Sequence, residues 1–296
     1  MSAGAAITGN TTVCNGVNST LTGAGTPDPA TPWTSSNTAV ATVDNSGNVT
    51  SIAPGTATIT YLNTGGCSSS TLFTVLALPA VSFNSNITEG CAPQNIVFTN
   101  TGSASSNCTW TIEGHGTQTD CGSVSQAFNQ DGVFDVTLTV TDANGCSNSS
   151  TIADMITIHP QVTASFTVDH TQQTVLDPSF RFTNTSTGAT SYIWDLDDGS
   201  GSNLTHVVHV YDEVAGVYNV VLIATNGFCS DTASAVIAVV DELYWFVPNS
   251  FTPDGDEVNN YFTPVFSPGF DIKDYSFLIY NRWGEIIFES KDMHTG

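Results

Sequence analysis

The sequence predicts an all-β chain: tandem β-sandwiches, like beads on a string, closed by a small C-terminal β domain. Three observations carry this. Apolar and polar residues alternate with period two in TATITYL (Thr56 to Leu62), FDVTLTVT (Phe134 to Thr141) and YNVVLIAT (Tyr218 to Thr225). All three runs are rich in β-branched residues, which suits half-buried strands. Asn-Gly, Asp-Gly and Gly-Gly pairs recur between such runs and mark turns. No amphipathic helix pattern interrupts them. Short strands with frequent turns are the pattern of sandwiches.

The chain also repeats itself. FTNT stands at Phe98 to Thr101 and again at Phe182 to Thr185, 84 residues later. The same offset joins Trp110 to Trp194, Gly132 to Gly216, Phe134 to Tyr218, and Leu138 to Leu222. A period this long means whole domains in series. The expected organisation is residues 1–78, 79–160, 161–241 and 242–296. Trp110 and Trp194 occupy equivalent positions and are expected in the two cores. Trp33 follows a Pro-rich loop and is readable either way, and no aromatic platform for sugar stacking stands out.

Charge narrows the function. Four Lys plus Arg stand against 27 Asp plus Glu, for a net charge of −23. Four cations cannot build a groove for phosphate, which excludes nucleic acid as a partner. An anionic membrane surface is repelled as well. No apolar run reaches the eighteen residues of a spanning segment, so no membrane insertion is expected. Only 10% of residues are charged, so Ser, Thr and Asn must supply the polar surface. The opening MSAGAAITGN has no basic and apolar signal-peptide pattern. The chain is expected to be a piece of a longer secreted protein.

Catalytic signatures are lacking. There is no nucleophile elbow, no His-Glu-x-x-His and no phosphate loop. WDLDDG places Asp195, Asp197 and Asp198 close together, which reads as an acidic turn bonding its own backbone. His206 and His209 are three apart, on opposite faces of a strand, which disfavours a shared metal. His209 is expected to pack and hydrogen-bond within its sandwich. Catalytic residues are expected to be none.

Family resemblances appear at particular stretches. WDLDDGSG followed by HVYDEVAGVYNVVLIATNG resembles a PKD repeat, an Ig-like sandwich, over most of 161–241. The first copy departs from that pattern, with Glu113 and His115 at its Trp turn and no His-x-Tyr pair like His209 and Tyr211. SSNTAVATVDNSGNVTSIAPGTATITY (Ser35 to Tyr61) resembles the bacterial Ig-like domain of surface adhesins.

From Leu243 the composition shifts, and three of the four cations follow: Lys273, Arg282 and Lys291. FLIY and EIIF read as strands around a turn at Asn281 to Gly284. Pro248, Asn249, Phe251, Thr252, Pro253, Gly255, Asp256, Val258 and Asn259 match the gliding-motility-associated C-terminal domain of Bacteroidetes. Asn281, Arg282, Trp283 and Gly284 match its hairpin. Asp254, Glu257 and Asn260 depart from the usual residues. Family members continue beyond MHTG into further strands, so the domain is expected to be partial. This resemblance implies a type B sorting signal of the type IX secretion system, read by outer-membrane export machinery, and an extracellular or outer-surface location.

Seven cysteines lack any C-x-x-C pair, so disulfides are the default in an exported chain. Cys14 and Cys67 are alone in the first domain and are expected to pair. Under the 84-residue offset Cys91 maps to Val175, and Cys146 falls within one residue of Cys229. Cys91 with Cys146 is therefore expected to close the first repeat, leaving Cys229 a free buried thiol. Cys108 and Cys121, thirteen apart, are expected to form a local bridge. Asp254, Asp256 and Asn260, with Gly255 to turn the chain, are candidate ligands for weak calcium. The alternative for that loop is an Asx-rich turn held by its own backbone bonds.

The function expected from these readings is a non-enzymatic secreted or surface protein with spacer or adhesin modules, whose partners include surface glycans or proteins. The alternative is a set of accessory modules of a secreted polysaccharide or protein hydrolase whose catalytic domain lies upstream.

Overall fold

The structure, a computed structural model, describes residues 6–103, 107–242, 244–248, 250, 262, 264–266 and 276–291. It divides into two compact units, Met1–Gln161 and Val162–Gly296. Every element in the described residues is a strand.

The first sandwich uses β1 (Thr12–Cys14), β2 (Ser19–Thr20), β3 (Trp33–Ser35) and β4 (Ala41–Val43). It continues with β5 (Asn48–Ser51), β6 (Gly55–Leu62) and β7 (Ser68–Leu76). One sheet runs β1-β7-β6-β3 and the other β2-β5-β4. Alternation along β6 sends Ala57, Ile59 and Tyr61 inward, where they meet Phe73, Val49, Leu21 and Trp33. Trp33 is a core residue, 7% exposed, with its ring 4.7 Å from that of Tyr61. The β4–β5 turn is tied by Asp44, whose carboxylate accepts from the amides of Ser46 and Asn48.

The second sandwich uses β8 (Phe83–Ser85), β9 (Glu89–Cys91), β10 (Gln94–Asn100) and β11 (Asn107–Ile112). It continues with β12 (Gly116–Gln118), β13 (Ser123–Phe128), β14 (Gly132–Thr141) and β15 (Ser147–His159). Its sheets run β13-β10-β8 and β12-β11-β14-β15-β9.

The third repeats that order strand for strand. It has β16 (Phe166–Val168), β17 (Gln172–Thr174), β18 (Ser179–Asn184) and β19 (Ser191–Asp195). It then has β20 (Gly201–Ser202), β21 (Val207–Val210), β22 (Gly216–Thr225) and β23 (Ser230–Val240). Its sheets run β21-β18-β16 and β20-β19-β22-β23-β17. Each sandwich buries its own apolar cluster. In all three, an early strand pairs in parallel with the last: β1 with β7, β9 with β15, β17 with β23.

The C-terminal residues add β24 (Trp245–Phe246) paired with β25 (Val265–Phe266), and β26 (Phe277–Tyr280) paired with β27 (Ile286–Ser290).

The cysteine pairing departs from the sequence expectation. Cys14 is bonded to Cys146, not to Cys67, with the Cα atoms 5.5 Å apart. Cys67 is free and exposed. The reason lies in β7. Cys14 sits opposite Leu76 at one end of that strand, while Cys67 precedes Ser68 at the other. Nine extended residues put the two about 30 Å apart, far beyond disulfide reach.

The same geometry forbids Cys91 with Cys146. Cys91 pairs with His159 at the far end of β15, whereas Cys146 stands just before its first residue. Cys91 and Cys229 are both disulfide-bonded, so Cys229 is not the free thiol expected. Cys108 is joined to Cys121 across 13 residues, linking β11 to the segment that leads into β13.

The Cys14–Cys146 bond ties the first sandwich to the second within one unit. Asn148 adds to the junction: its side-chain amide donates to the Pro79 carbonyl at 2.9 Å, on the segment joining the two sandwiches.

Candidate functional site

The two tryptophan turns are the best-developed side-chain constellations. Trp110 and Trp194 are 0% and 1% exposed. Each indole N–H donates to a backbone carbonyl ten residues on, Asp120 at 2.8 Å and Leu204 at 2.9 Å. These acceptors are themselves one offset apart, so the repeat preserves even this bond. A buried indole needs such a partner.

The acidic turn of the third sandwich bonds mostly to backbone. Asp195 accepts from the Asp197 amide, and Asp198 accepts from the Ser200 amide. Asp197, in a left-handed conformation with φ of 64°, reaches across to the Asn219 amide on β22 at 2.8 Å. Glu113 does the same in the second sandwich, accepting from the Asp135 amide at 3.3 Å. These carboxylates are fasteners. Each accepts from a backbone amide of its own turn or of the neighbouring strand.

Asp198, Ser200 and His209 converge. His209 Nε2 lies 2.6 Å from Asp198 Oδ2, and the Ser200 hydroxyl donates to Asp198 Oδ1. Ser200 Oγ is also 3.4 Å from the same His209 nitrogen. A nucleophilic triad needs the acid and the nucleophile on opposite imidazole nitrogens; here both meet Nε2. The group is a structural brace, as the sequence suggested for His209.

Partial burial opposes the charge on Asp198, but the bonds from Ser200 and His209 outweigh it and hold the carboxyl down to about 2. A depressed native pKa stabilises the fold above the unfolded carboxyl range, near pH 4. That contribution is whole above about pH 4 and is lost as pH falls through about 2. Asp198→Asn should therefore flatten the acid limb of the third sandwich's stability profile, measured by denaturant melts between neutral and acid pH. An unchanged acid slope counts against the brace.

His206 bonds elsewhere than His209. Its Nδ1 accepts from the Asn184 amide at 3.2 Å. No group of three His, Cys, Asp or Glu side chains arranged for a metal occurs among the described residues.

Burial of Tyr211, with the Asp198 charge beside it, raises its hydroxyl well above the usual range. That hydroxyl donates to the Leu196 carbonyl at 2.8 Å. The second sandwich has a counterpart that the sequence offset hid. Phe98 faces Val124 across β10 and β13, as Phe182 faces Val207 across β18 and β21. Gln126 thus stands where His209 stands, and Phe128 where Tyr211 stands. The local shift is one residue less than 84, because an extra residue before Val124 is offset by a missing one before Gly132.

Of the sorting motif, Pro248 and the hairpin residues Asn281, Arg282, Trp283 and Gly284 are described. Asn249, Phe251, Thr252, Pro253, Gly255, Asp256 and Asn259 lie outside the described residues. So do the calcium candidates Asp254, Asp256 and Asn260. The hairpin forms where expected, between β26 and β27. Asn281 builds its turn: its side-chain oxygen accepts from the amides of Trp283 and Glu285, and its Nδ2 donates to the Glu285 carboxylate. Gly284 takes φ of 85°, which only glycine adopts freely. The turn presents Arg282 with its guanidinium 5.4 Å from the Trp283 ring centroid, and that indole is 77% exposed.

Three known domain families match successive stretches of the chain. The PKD domain matches residues 77–158 and again 159–240. The bacterial Ig-like domain, group 2, matches residues 4–71. The CHU_C type IX secretion signal domain matches residues 245–296. That last domain indicates export to the cell surface or the extracellular space, and disulfides are consistent with such a place.

No curated protein matches the chain. Among solved structures, the fibronectin(III)-like modules of Clostridium thermocellum CbhA are 12% identical, covering 54% of this chain and 94% of theirs at a TM-score of 0.31. A Ca2+-stabilised adhesin with which an Antarctic bacterium binds ice is 16% identical, covering 81% and 74% at 0.30. The N-terminal four Ig domains of Dscam1 isoform 6.44 are 14% identical, covering 81% and 72% at 0.27. With two tandem matches spanning more than half of its length, the chain belongs to the PKD domain family, preceded by a bacterial Ig-like domain and followed by a type IX secretion signal domain.

Proposed function

We propose that the chain is a non-enzymatic, exported row of spacer and adhesive modules, delivered to the outer cell surface by its C-terminal sorting domain. The observation that supports this most is the serial order of the modules, ending in the sorting domain. The side-chain chemistry agrees with it. The acidic turns bond their own backbones, and the Asp198–Ser200–His209 group is wired as a brace. The partner this implies is the type IX outer-membrane machinery, meeting residues 242–296.

The test uses a bacterium that has this export system. Residues 1–296 and residues 1–241 are each placed behind a secretory leader. The longer chain should reach the surface or the medium, and the shorter should stay in the periplasm. Equal fates for the two would overturn the reading. Weak calcium at Asp254, Asp256 and Asn260 belongs to the same proposal, with millimolar affinity typical of extracellular modules. It requires the melting temperature of the sorting domain to rise in millimolar calcium; no rise ends it.

A further inference from the structure

We propose that the second sandwich carries a binding site for a neutral saccharide unit, in the cavity bounded by His115, Gln126, Asn129, Gln130, Asp131 and Phe134. The inference rests on the adhesive part of the reading above and gives it a ligand class.

The two PKD copies differ at this spot. In the third sandwich, Asp198 and His209 meet at 2.6 Å and close the corner between the Trp turn and β21. In the second, the 84-residue offset puts Gly114 at the place of Asp198, and strand register puts Gln126 at the place of His209. Glycine has no side chain to reach inward, so the carboxylate–imidazole contact is gone. A cavity of 530 Å3 lies at that corner, within the usual range for a small-molecule site.

What lines the cavity suits a sugar. His115 packs its ring edge-on to Phe128, with centroids 4.6 Å apart, and 5.3 Å from Phe134. Phe134 in turn lies 4.9 Å from Phe128. The aromatic wall is therefore held from two sides. The Gln126 amide bonds His115 Nδ1 at 3.1 Å. An amide N–H donates, so Nδ1 accepts and the imidazole proton sits on Nε2. That N–H has no partner among the described residues, and neither do the side chains of Asn129, Gln130 and Asp131. Two primary amides, one carboxylate and one imidazole N–H thus stand unengaged beside an aromatic ring. A saccharide offers the complement: hydroxyls that both donate and accept, and an apolar face of ring C–H groups.

Other ligand classes fit worse. No cation lines the cavity, and the chain carries a net charge of −23, so phosphates, sulfated sugars and carboxylates are repelled.

The test is ligand-observed NMR and calorimetry on the full chain with cellohexaose, chitohexaose, xylohexaose and laminarihexaose. At least one should bind saturably. Asn129→Ala with Gln130→Ala, and separately Asp131→Asn, should each weaken it roughly tenfold, the effect of losing one or two hydrogen bonds. These residues are exposed loop positions, so melting temperatures should not change. Asp198→Asn in the other copy should leave binding unaltered. No binding by any of the four at millimolar concentration, or binding that survives the loop variants, overturns the proposal. Failure here with export intact leaves the chain a spacer; failure of export with binding intact refutes only the sorting role.

Discussion

Replacing Cys14 and Cys146 together with serine is expected to free the first sandwich from the second and to lower the stability of residues 6–161. The bond closes a span of 132 residues. The chain-entropy relation gives about 5 kcal/mol for a loop of that length. Part of this acts on the relative freedom of two sandwiches rather than on either fold, so calorimetry should show a smaller loss, on the order of 2–4 kcal/mol.

The covalent signature is sharper. Chain cut between residues 77 and 80 should run as one species without reductant and as two with it. Peptide mapping should recover Cys14 with Cys146, and alkylation under denaturing, non-reducing conditions should modify only Cys67. Two species without reductant, or a labelled Cys146, would falsify the clamp. Both cysteines must be changed together, because Cys146 is fully buried and a lone thiol there would blur the comparison.

The second large effect is expected from Trp194→Ala. The indole is 1% exposed and packs against Phe166 and Phe182, with ring centroids 5.0 and 5.9 Å away. Phe/Trp-to-alanine changes in a core cost about 3–5 kcal/mol, and a domain holds only about 5–15 kcal/mol in all. The Leu204 carbonyl would lose its N–H donor as well. The third sandwich should melt far earlier, or fail to fold, while the transition of residues 6–161 stays in place, since each sandwich has its own core. Trp283→Ala, on the exposed turn, should move no transition beyond the few tenths of a kcal/mol typical of surface changes. A common shift of both transitions after Trp194→Ala would mean the cores are not independent.

Several elements were legible in the sequence because their cause is local or repeated. The alternation in Thr56 to Leu62, Phe134 to Thr141 and Tyr218 to Thr225 marks the centres of β6, β14 and β22. The 84-residue offset identifies both buried tryptophans, and the Asn281–Gly284 turn lies between the two strands expected.

The cysteines were not legible, for a physical reason. Cysteine counting pairs residues within a module, but a strand of nine or thirteen residues carries its two ends far apart. The end of one sandwich instead meets the start of the next, and nothing in the spacing records that junction. The counterparts of His209 and Tyr211 were hidden by a compensating insertion and deletion of one residue, which strand register reveals at once. The cavity beside His115 was hidden for the same reason, because Gln126, which lines it, is the equivalent of His209 only under the shifted register. Asp254, Asp256 and Asn260 lie outside the described residues, and their role rests on titration.

The parallel pairs β1 with β7, β9 with β15 and β17 with β23 have a mechanical meaning. In each sandwich an early strand is bonded alongside the last, running the same way. Tension applied through the two ends of a module pulls these strands past one another lengthwise. The three residue pairs of such a ladder share a lengthwise load at once instead of opening singly, and across the first two sandwiches the Cys14–Cys146 bond carries that load covalently.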